Sequence, residues 1–303
     1  MYQHFIVQNV DIVKLGLVVA TLGRVDSLRR LFDSLRGRLT ADDRLIVVTQ
    51  GDRVAVERLA AEFRDDSFPI VIVGSTPGAA IARNTGVAAL PPDINYLLNF
   101  PNDTTWYPAG TVERLRSLPD DFSIGALTVV DEHGPKFTLP DAGAALDRWN
   151  VWSVIEMGIL VRRYAFEAVG GFDPSIGTGA ATPWQAGEAT DLLLKMQSAG
   201  MVDEFAWQPA AVSVGGIADA HGLSRAERRH KLRAYGRGLG RLVARWRYPL
   251  WWRFAFTAGG LAFGFRHRST NEVADGWWVF LGRLEGALGR TLGRSVQVRA
   301  VER

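Results

Sequence analysis

The sequence predicts an α/β fold, a mainly parallel sheet flanked by helices, with a basic helical extension at its C-terminus. Three observations carry that expectation. Short apolar runs alternate with amphipathic segments four times in the first hundred or so residues, the pattern of crossovers that feed a parallel sheet. The 303 residues are 47% hydrophobic and 22% charged, which suits a chain with a sizeable core and excludes wholesale disorder. Charge is also split along the chain. Residues 221–303 hold 17 Lys/Arg against 5 Asp/Glu, whereas residues 1–220 hold 18 against 27.

Residues 15–20 (LGLVVA) form an apolar run closed by Thr21-Leu22-Gly23, as a strand buried on both faces requires. Leu28, Leu31, Phe32 and Leu35 then recur at i, i+3, i+4 and i+7, the stripe of an amphipathic helix capped by Asp26 and stopped by Gly37. Residues 45–48 (LIVV) give a second strand ended by Gln50-Gly51-Asp52, and 54–63 a helix. Residues 69–73 give a third strand, 78–90 a helix, and 96–100 (YLLNF) a fourth strand stopped by Pro101. Further strands are expected at 122–130 and 152–161, a polar hairpin at 131–134, and a short helix at 164–169 ended by Gly170-Gly171. A stretch rich in Gly, Ser, Thr and Pro leads to Gly187-Glu188-Ala189-Thr190-Asp191, just before an apolar helix at 192–196. Carboxylates there are favoured by the helix dipole and its free N–H groups, so capping is one reading of Glu188 and Asp191. Ser224-Arg225-Ala226-Glu227 is a capping box that opens an Arg-rich helix running to Trp246, with Pro249 beyond it. Trp and Phe residues then interleave with arginines.

In a parallel sheet the strand ends gather at one edge, and ligands bind outside the carboxyl ends. The turns at 21–24, 50–52, 75–78 and 102–104 therefore line one crevice. Asp103 sits there where a metal or phosphate ligand would be placed. No GxGxxG or GxxxxGK[ST] follows the first strand, so a dinucleotide or P-loop reading has no motif behind it. The chain has no cysteine, which removes disulfides, thiolate metal sites and cysteine nucleophiles together.

Five motifs in order carry a resemblance: Thr21-x-x-Arg24 ending a strand, Ala82-Arg83-Asn84-x-Gly86 on a helix, Asp103 after the next strand, Gly170-Gly171-Phe172-Asp173, and Gly187-Glu188-x-x-Asp191-Leu192. Together they resemble the family-2 glycosyltransferases, over residues 15–215. The resemblance implies the GT-A (Rossmann-like) fold and transfer of a sugar, with inversion, from a nucleotide-diphosphate sugar. By it, Thr21, Arg24, Gln50 and Asp52 face the nucleoside, and Arg83 and Asn84 lie against the nucleotide and its diphosphate. Asn102 joins this donor-binding set, and Asp103 is the acid that holds Mg²⁺ or Mn²⁺. The base that takes the acceptor's proton is expected in the last motif, Glu188 first and Asp191 second. The chain also departs from the family's pattern. Ala189 stands where a second acid is usual, Gln50 replaces an acid in its turn, and Asn102-Asp103-Thr104 offers a single acid. A weaker dependence on metal is expected from that. His221, in a polar loop, is either a late metal ligand or a solvated side chain.

The N-terminus lacks the basic segment and long apolar core of a signal peptide. No run reaches the roughly 18 to 20 apolar residues that span a bilayer; the nearest approach is 254–265, fenced by Arg253 and Arg266. A cytoplasmic protein is expected, with a catalytic domain at 1–220 and a Trp/Arg-rich extension at 221–303. The extension resembles those by which bacterial enzymes of this family lie on the anionic inner face of the membrane. Such enzymes glycosylate lipid-linked acceptors in cell-surface polysaccharide assembly. A packed helical subdomain or a homodimer surface is the alternative for this segment. Nucleic acid is not expected as a partner. Two other readings are a sugar-nucleotide nucleotidyltransferase, disfavoured by the short turn after the first strand, and a non-catalytic nucleic-acid- or membrane-binding adaptor.

Overall fold

The computed structural model describes residues 13–64, 69–131, 134–203, 205–215, 223–266 and 271–293. The chain begins as strand–helix units: β1 (Leu15–Thr21), α1 (Val25–Leu35), β2 (Arg44–Thr49), α2 (Arg53–Phe63), β3 (Ile70–Gly74), α3 (Ala79–Ala88) and β4 (Leu97–Asn99). These four strands pair in parallel in the order β3-β2-β1-β4. Growth of the sheet therefore reverses direction between β1 and β4. That is a topological switch point, where the connections leave the two adjacent strands in opposite directions along the sheet and a crevice is left between them. A bridge between Ala20 and Asn102 draws the two strand ends together at that place.

Past α4 (Thr111–Arg116) come β5 (Ile124–Asp131), β6 (Gly134–Pro135) and β7 (Ile159–Arg162). β7 is antiparallel to both β4 and β5, so the sheet is mixed on this side. After α5 (Arg163–Ala168) and α6 (Glu188–Ser198), β8 (Ala206–Gly215) returns to pair with β5 in parallel. Strand side chains alternate between faces. Leu15, Leu17 and Val19 join α1, α2 and α4 on one side, while Val18, Ile46 and Leu98 join α3 and α6 on the other.

Two local expectations differ from what forms, and one strand is unexpected. Residues 152–161 are not one strand: two single turns of 3-10 helix precede β7. Asp147 leads into the first of these turns: its Oδ1 accepts from the N–H groups of Trp149 and Asn150 and winds the chain there. Helix α1 is preceded by Arg24, and Asp26 lies inside its first turn. Strand β8 contains Pro209, and its register with β5 shifts between Leu127 and Thr128, an irregularity of the kind that lets an edge strand admit proline.

The C-terminal helices are α7 (Arg225–Arg245), α8 (Leu250–Ala258), α9 (Phe263–Arg266) and α10 (Asp275–Leu288). The capping box at Ser224 and Glu227 is formed. Helix α7 packs on α10 at glycines, and its arginines meet the acids of that helix. Arg228 and Arg229 bond Asp275, and Arg233 and Arg237 bond Glu285, both acids being fully buried. Four arginines of the basic stripe thus share two acids within the extension itself. Helix α7 also reaches the first 220 residues. Val243 and Tyr248 belong to the same apolar cluster as Phe172 and Leu192, and Arg245 pairs with Asp173 at 2.5 Å. Among the described residues, no helix is long and apolar enough to cross a membrane.

Candidate functional site

The crevice is built from turns that brace one another. Gln50 N donates to Thr21 O (2.9 Å), and Asp52 N donates to Leu22 O (3.2 Å), so the turns after β1 and β2 are tied. The Gln50 amide then donates to Ser75 Oγ (3.1 Å), to Thr76 O and to Gly78 O (3.0 Å), carrying the brace to the start of α3. Asp52 caps α2 by accepting from Ala55 N at 2.9 Å. Asn102 Oδ1 accepts from the backbone N–H and hydroxyl of Thr104 and from the Thr105 hydroxyl, which shapes the turn after β4. In the free chain, the side chains of Gln50, Asp52 and Asn102 are therefore occupied in holding the crevice's shape.

Asp103, 1% exposed, lies at the switch point. Arg24 Nε donates to its Oδ2 (2.9 Å) and Nη2 to its Oδ1 (2.5 Å), a bidentate fork. Thr21 Oγ1 donates to the same Oδ2 at 3.0 Å. Sequence placed Thr21 and Arg24 in one turn and Asp103 in another; the fold makes them one cluster. Magnesium-type cations take one or two carboxylates and leave substrate phosphates and waters to complete the shell. Asp103 fits that pattern as a single protein ligand. No group of three or more His, Asp or Glu able to hold a metal occurs among the described residues. His221 lies outside the described residues.

A second cluster sits where α3 meets α6. Arg83 is buried, and its guanidinium bonds Glu188 Oε1 (Nη1, 3.2 Å) and pairs with Glu156 Oε1 (Nη2, 3.3 Å). Its Nε is buried without a hydrogen-bond partner. Glu188, 6% exposed, opens α6. Burial pushes its carboxyl above the usual glutamate range and the nearby Glu156 adds to that, outweighing the attraction of Arg83. Gly177, at φ +114°, lies so close that a Cβ there would come within 2.9 Å of the Glu188 carboxyl carbon. Only glycine combines that backbone with that gap.

Asn84 faces the neighbouring loop. Its Nδ2 donates to Phe172 O (2.8 Å) and its Oδ1 accepts from Phe172 N (3.0 Å), clamping the Gly170-Gly171-Phe172-Asp173 segment to α3. Asp191 is fully buried. Its Oδ1 accepts from Trp246 Nε1 (2.9 Å), and Lys195 lies 3.6 Å from its Oδ2, so it joins α6 to the chain just after α7. Ala79 N donates to Thr178 O (2.8 Å), which closes the glycine-rich stretch over the start of α3. The member of this cluster that sequence reasoning missed is Glu156. A lone acid in the apolar run 152–161 was its signal, hidden because the run was read as a strand.

Comparison with known proteins agrees with the fold. Residues 17–170 match the family described as Glycosyl transferase family 2. No curated protein matches the chain in sequence. Among solved structures, the fold is similar to S. aureus TarS 1-349, with a TM-score of 0.57, 11% identity and 92% of each chain covered. The same protein in complex with UDP-GlcNAc gives a TM-score of 0.55 at 10% identity, covering 92% of this chain and 93% of that one. The mannosyltransferase PcManGT from Pyrobaculum calidifontis, in complex with GDP-Man and Mn²⁺, gives 0.54 at 12% identity, covering 92% of this chain and 90% of that one. At such identities the likeness is one of fold.

Proposed function

The chain belongs to glycosyl transferase family 2, and we propose that it moves a sugar from a nucleotide-diphosphate donor to an acceptor hydroxyl with inversion at the sugar carbon. The observation that carries this reading is Glu188, a buried carboxylate at the head of a helix, raised in pKa and held by Arg83. Its role is general base. As the acceptor oxygen attacks the sugar carbon, its proton passes to the Glu188 carboxylate while the bond from that carbon to the diphosphate breaks. The nucleoside diphosphate leaves with the bonding electrons. A base with a raised pKa holds an abstracted proton better and is closer to ideal near neutral pH. Arg83 orients Glu188 through its Nη1 contact with the carboxylate. Asp191, committed to Trp246, serves as the support of α6 and leaves Glu188 as the base.

Asp103 is the residue that would hold a divalent cation, with Thr21 beside it. A bound Mg²⁺ or Mn²⁺ would supply a Lewis acid that neutralises the departing diphosphate. The acceptor we favour is lipid-linked. Support comes from Leu250, Trp251 and Phe254, which stand 64 to 77% exposed on α8, with Arg247 just before the helix and Arg253 among them. An apolar, arginine-flanked face of this kind suits an anionic membrane surface.

The test is a thermal-shift screen of nucleotide-diphosphate sugars with and without Mn²⁺, followed by transfer assays on the donor that stabilises the chain. Transfer is expected to vanish in Asp103→Ala and Glu188→Ala while both variants stay folded. Full activity in both would overturn the site, and no stabilising donor would overturn the reaction.

A further inference from the structure

The Arg24–Asp103 fork raises a question of occupancy. A carboxylate that is to hold a divalent cation already has a cation on it, bound through both oxygens. The two partners are unequally placed: the Asp103 side chain is 2% exposed, whereas that of Arg24 is 59% exposed. Asp103 cannot turn to water, but the Arg24 head can. Rehydrating an exposed guanidinium costs little, so this pair opens by movement of the arginine alone.

We propose that Arg24 is an internal counter-cation that keeps the metal seat closed, so that a divalent ion binds Asp103 only together with a diphosphate-bearing donor. The inference rests on the reading of Asp103 as the ion's protein ligand. Without donor, an incoming ion would have to expel Arg24 and would gain one carboxylate in exchange for hydration it sheds reluctantly. The balance changes when a diphosphate arrives. It brings oxygen ligands for the ion, and it offers the released guanidinium a new bidentate anionic partner in the same crevice. Ion and donor then favour each other by an equal factor, since coupling between two binding events is reciprocal. Thr21, whose hydroxyl donates to Asp103 and accepts from Gly23 N, keeps the carboxylate oriented while its partner changes.

The proposal is tested by titrating Mn²⁺ into the full chain and following free Mn²⁺ by electron paramagnetic resonance. The arms are wild type alone, wild type with UDP or GDP, and Arg24→Gln alone, with protein-free nucleotide as the correction for chelation in solution. Arg24→Gln alone is expected to bind Mn²⁺ about tenfold or more tighter than wild type alone, the loss of one charge-assisted fork. Nucleotide is expected to tighten Mn²⁺ strongly on wild type and less on the variant, and Asp103→Asn to abolish binding in every arm. Equal affinity of wild type and Arg24→Gln for Mn²⁺ alone would overturn the gate. So would wild-type affinity that nucleotide leaves unchanged, a comparison that stands even if the variant does not fold. Absence of Mn²⁺ binding in all arms, nucleotide included, would instead remove Asp103 as metal ligand and the gate with it.

Discussion

At the scale of residues, Glu188 shows how burial and pairing compete. Its pairing with Arg83 favours the charged carboxylate, yet desolvation is the larger effect and the neighbouring Glu156 adds to it, so the folded pKa lies above the unfolded one. The sign for stability follows: what Glu188 contributes to folding is present below the unfolded pKa and is lost as pH rises through the raised folded value. Catalysis runs the other way, because the base must be deprotonated. kcat/KM for transfer is expected to rise with pH along a limb centred above the usual glutamate range. Glu188→Gln should flatten that limb and lower kcat by about 10²–10⁴ with donor affinity kept. A pH profile unchanged by the substitution would assign the base elsewhere.

At the scale of elements, two contacts decide how the last helices hold the site. Helix α7 lies so near α10 that a Cβ on Gly240 would fall 2.2 Å from the carbonyl oxygen of Arg283. Gly→Ala inside a helix ordinarily gains about 0.5–1 kcal/mol. Here the obstacle is backbone and cannot swing aside, so the overpacking cost of about 1–3 kcal/mol wins. Gly240→Ala is expected to lower the urea midpoint of unfolding; a raised midpoint would mean that the helices separate freely. The second contact is Trp246 Nε1 to Asp191. Trp246→Phe removes a donor from a fully buried carboxylate, a loss of about 1–3 kcal/mol, and should depress kcat because Glu188 is on the same turn of α6. Calorimetry and transfer assays on one preparation would read both effects.

Much of this level was legible in the sequence. Apolar periodicity placed β1 to β4 and α1 to α3 to within a residue or two, because buried strands and one-sided helices leave different spacings. It did not reveal β8, which carries a proline and pairs only along β5.

At the scale of the whole molecule, the order β3-β2-β1-β4 sets the crevice, and the C-terminal helices brace its far side. Part of the charge asymmetry is met inside the extension, where four arginines of α7 share Asp275 and Glu285. Helix α8 adds an exposed face with Leu250, Trp251 and Phe254. Trp251→Ser with Phe254→Ser is expected to abolish flotation with vesicles containing anionic lipid, while transfer to a soluble acceptor continues. Flotation undiminished by the pair would mean that another surface meets the lipid.

The sequence by itself determined the family and the parallel half of the sheet, and it pointed to Asp103 and Glu188 though not to Glu156, because these depend on spacing and on residue type along the chain. Tertiary structure alone decided which groups meet. Arg83 turned out to hold Glu188 and Glu156, Asn84 to clamp Phe172, Asp191 to anchor Trp246, and Arg24 to sit on Asp103. These pairs are separated by 55 to 105 residues in the chain. Periodicity carries no information across such gaps. The partner of a buried charge is fixed only when the fold removes water from it and leaves one neighbour of opposite sign within reach.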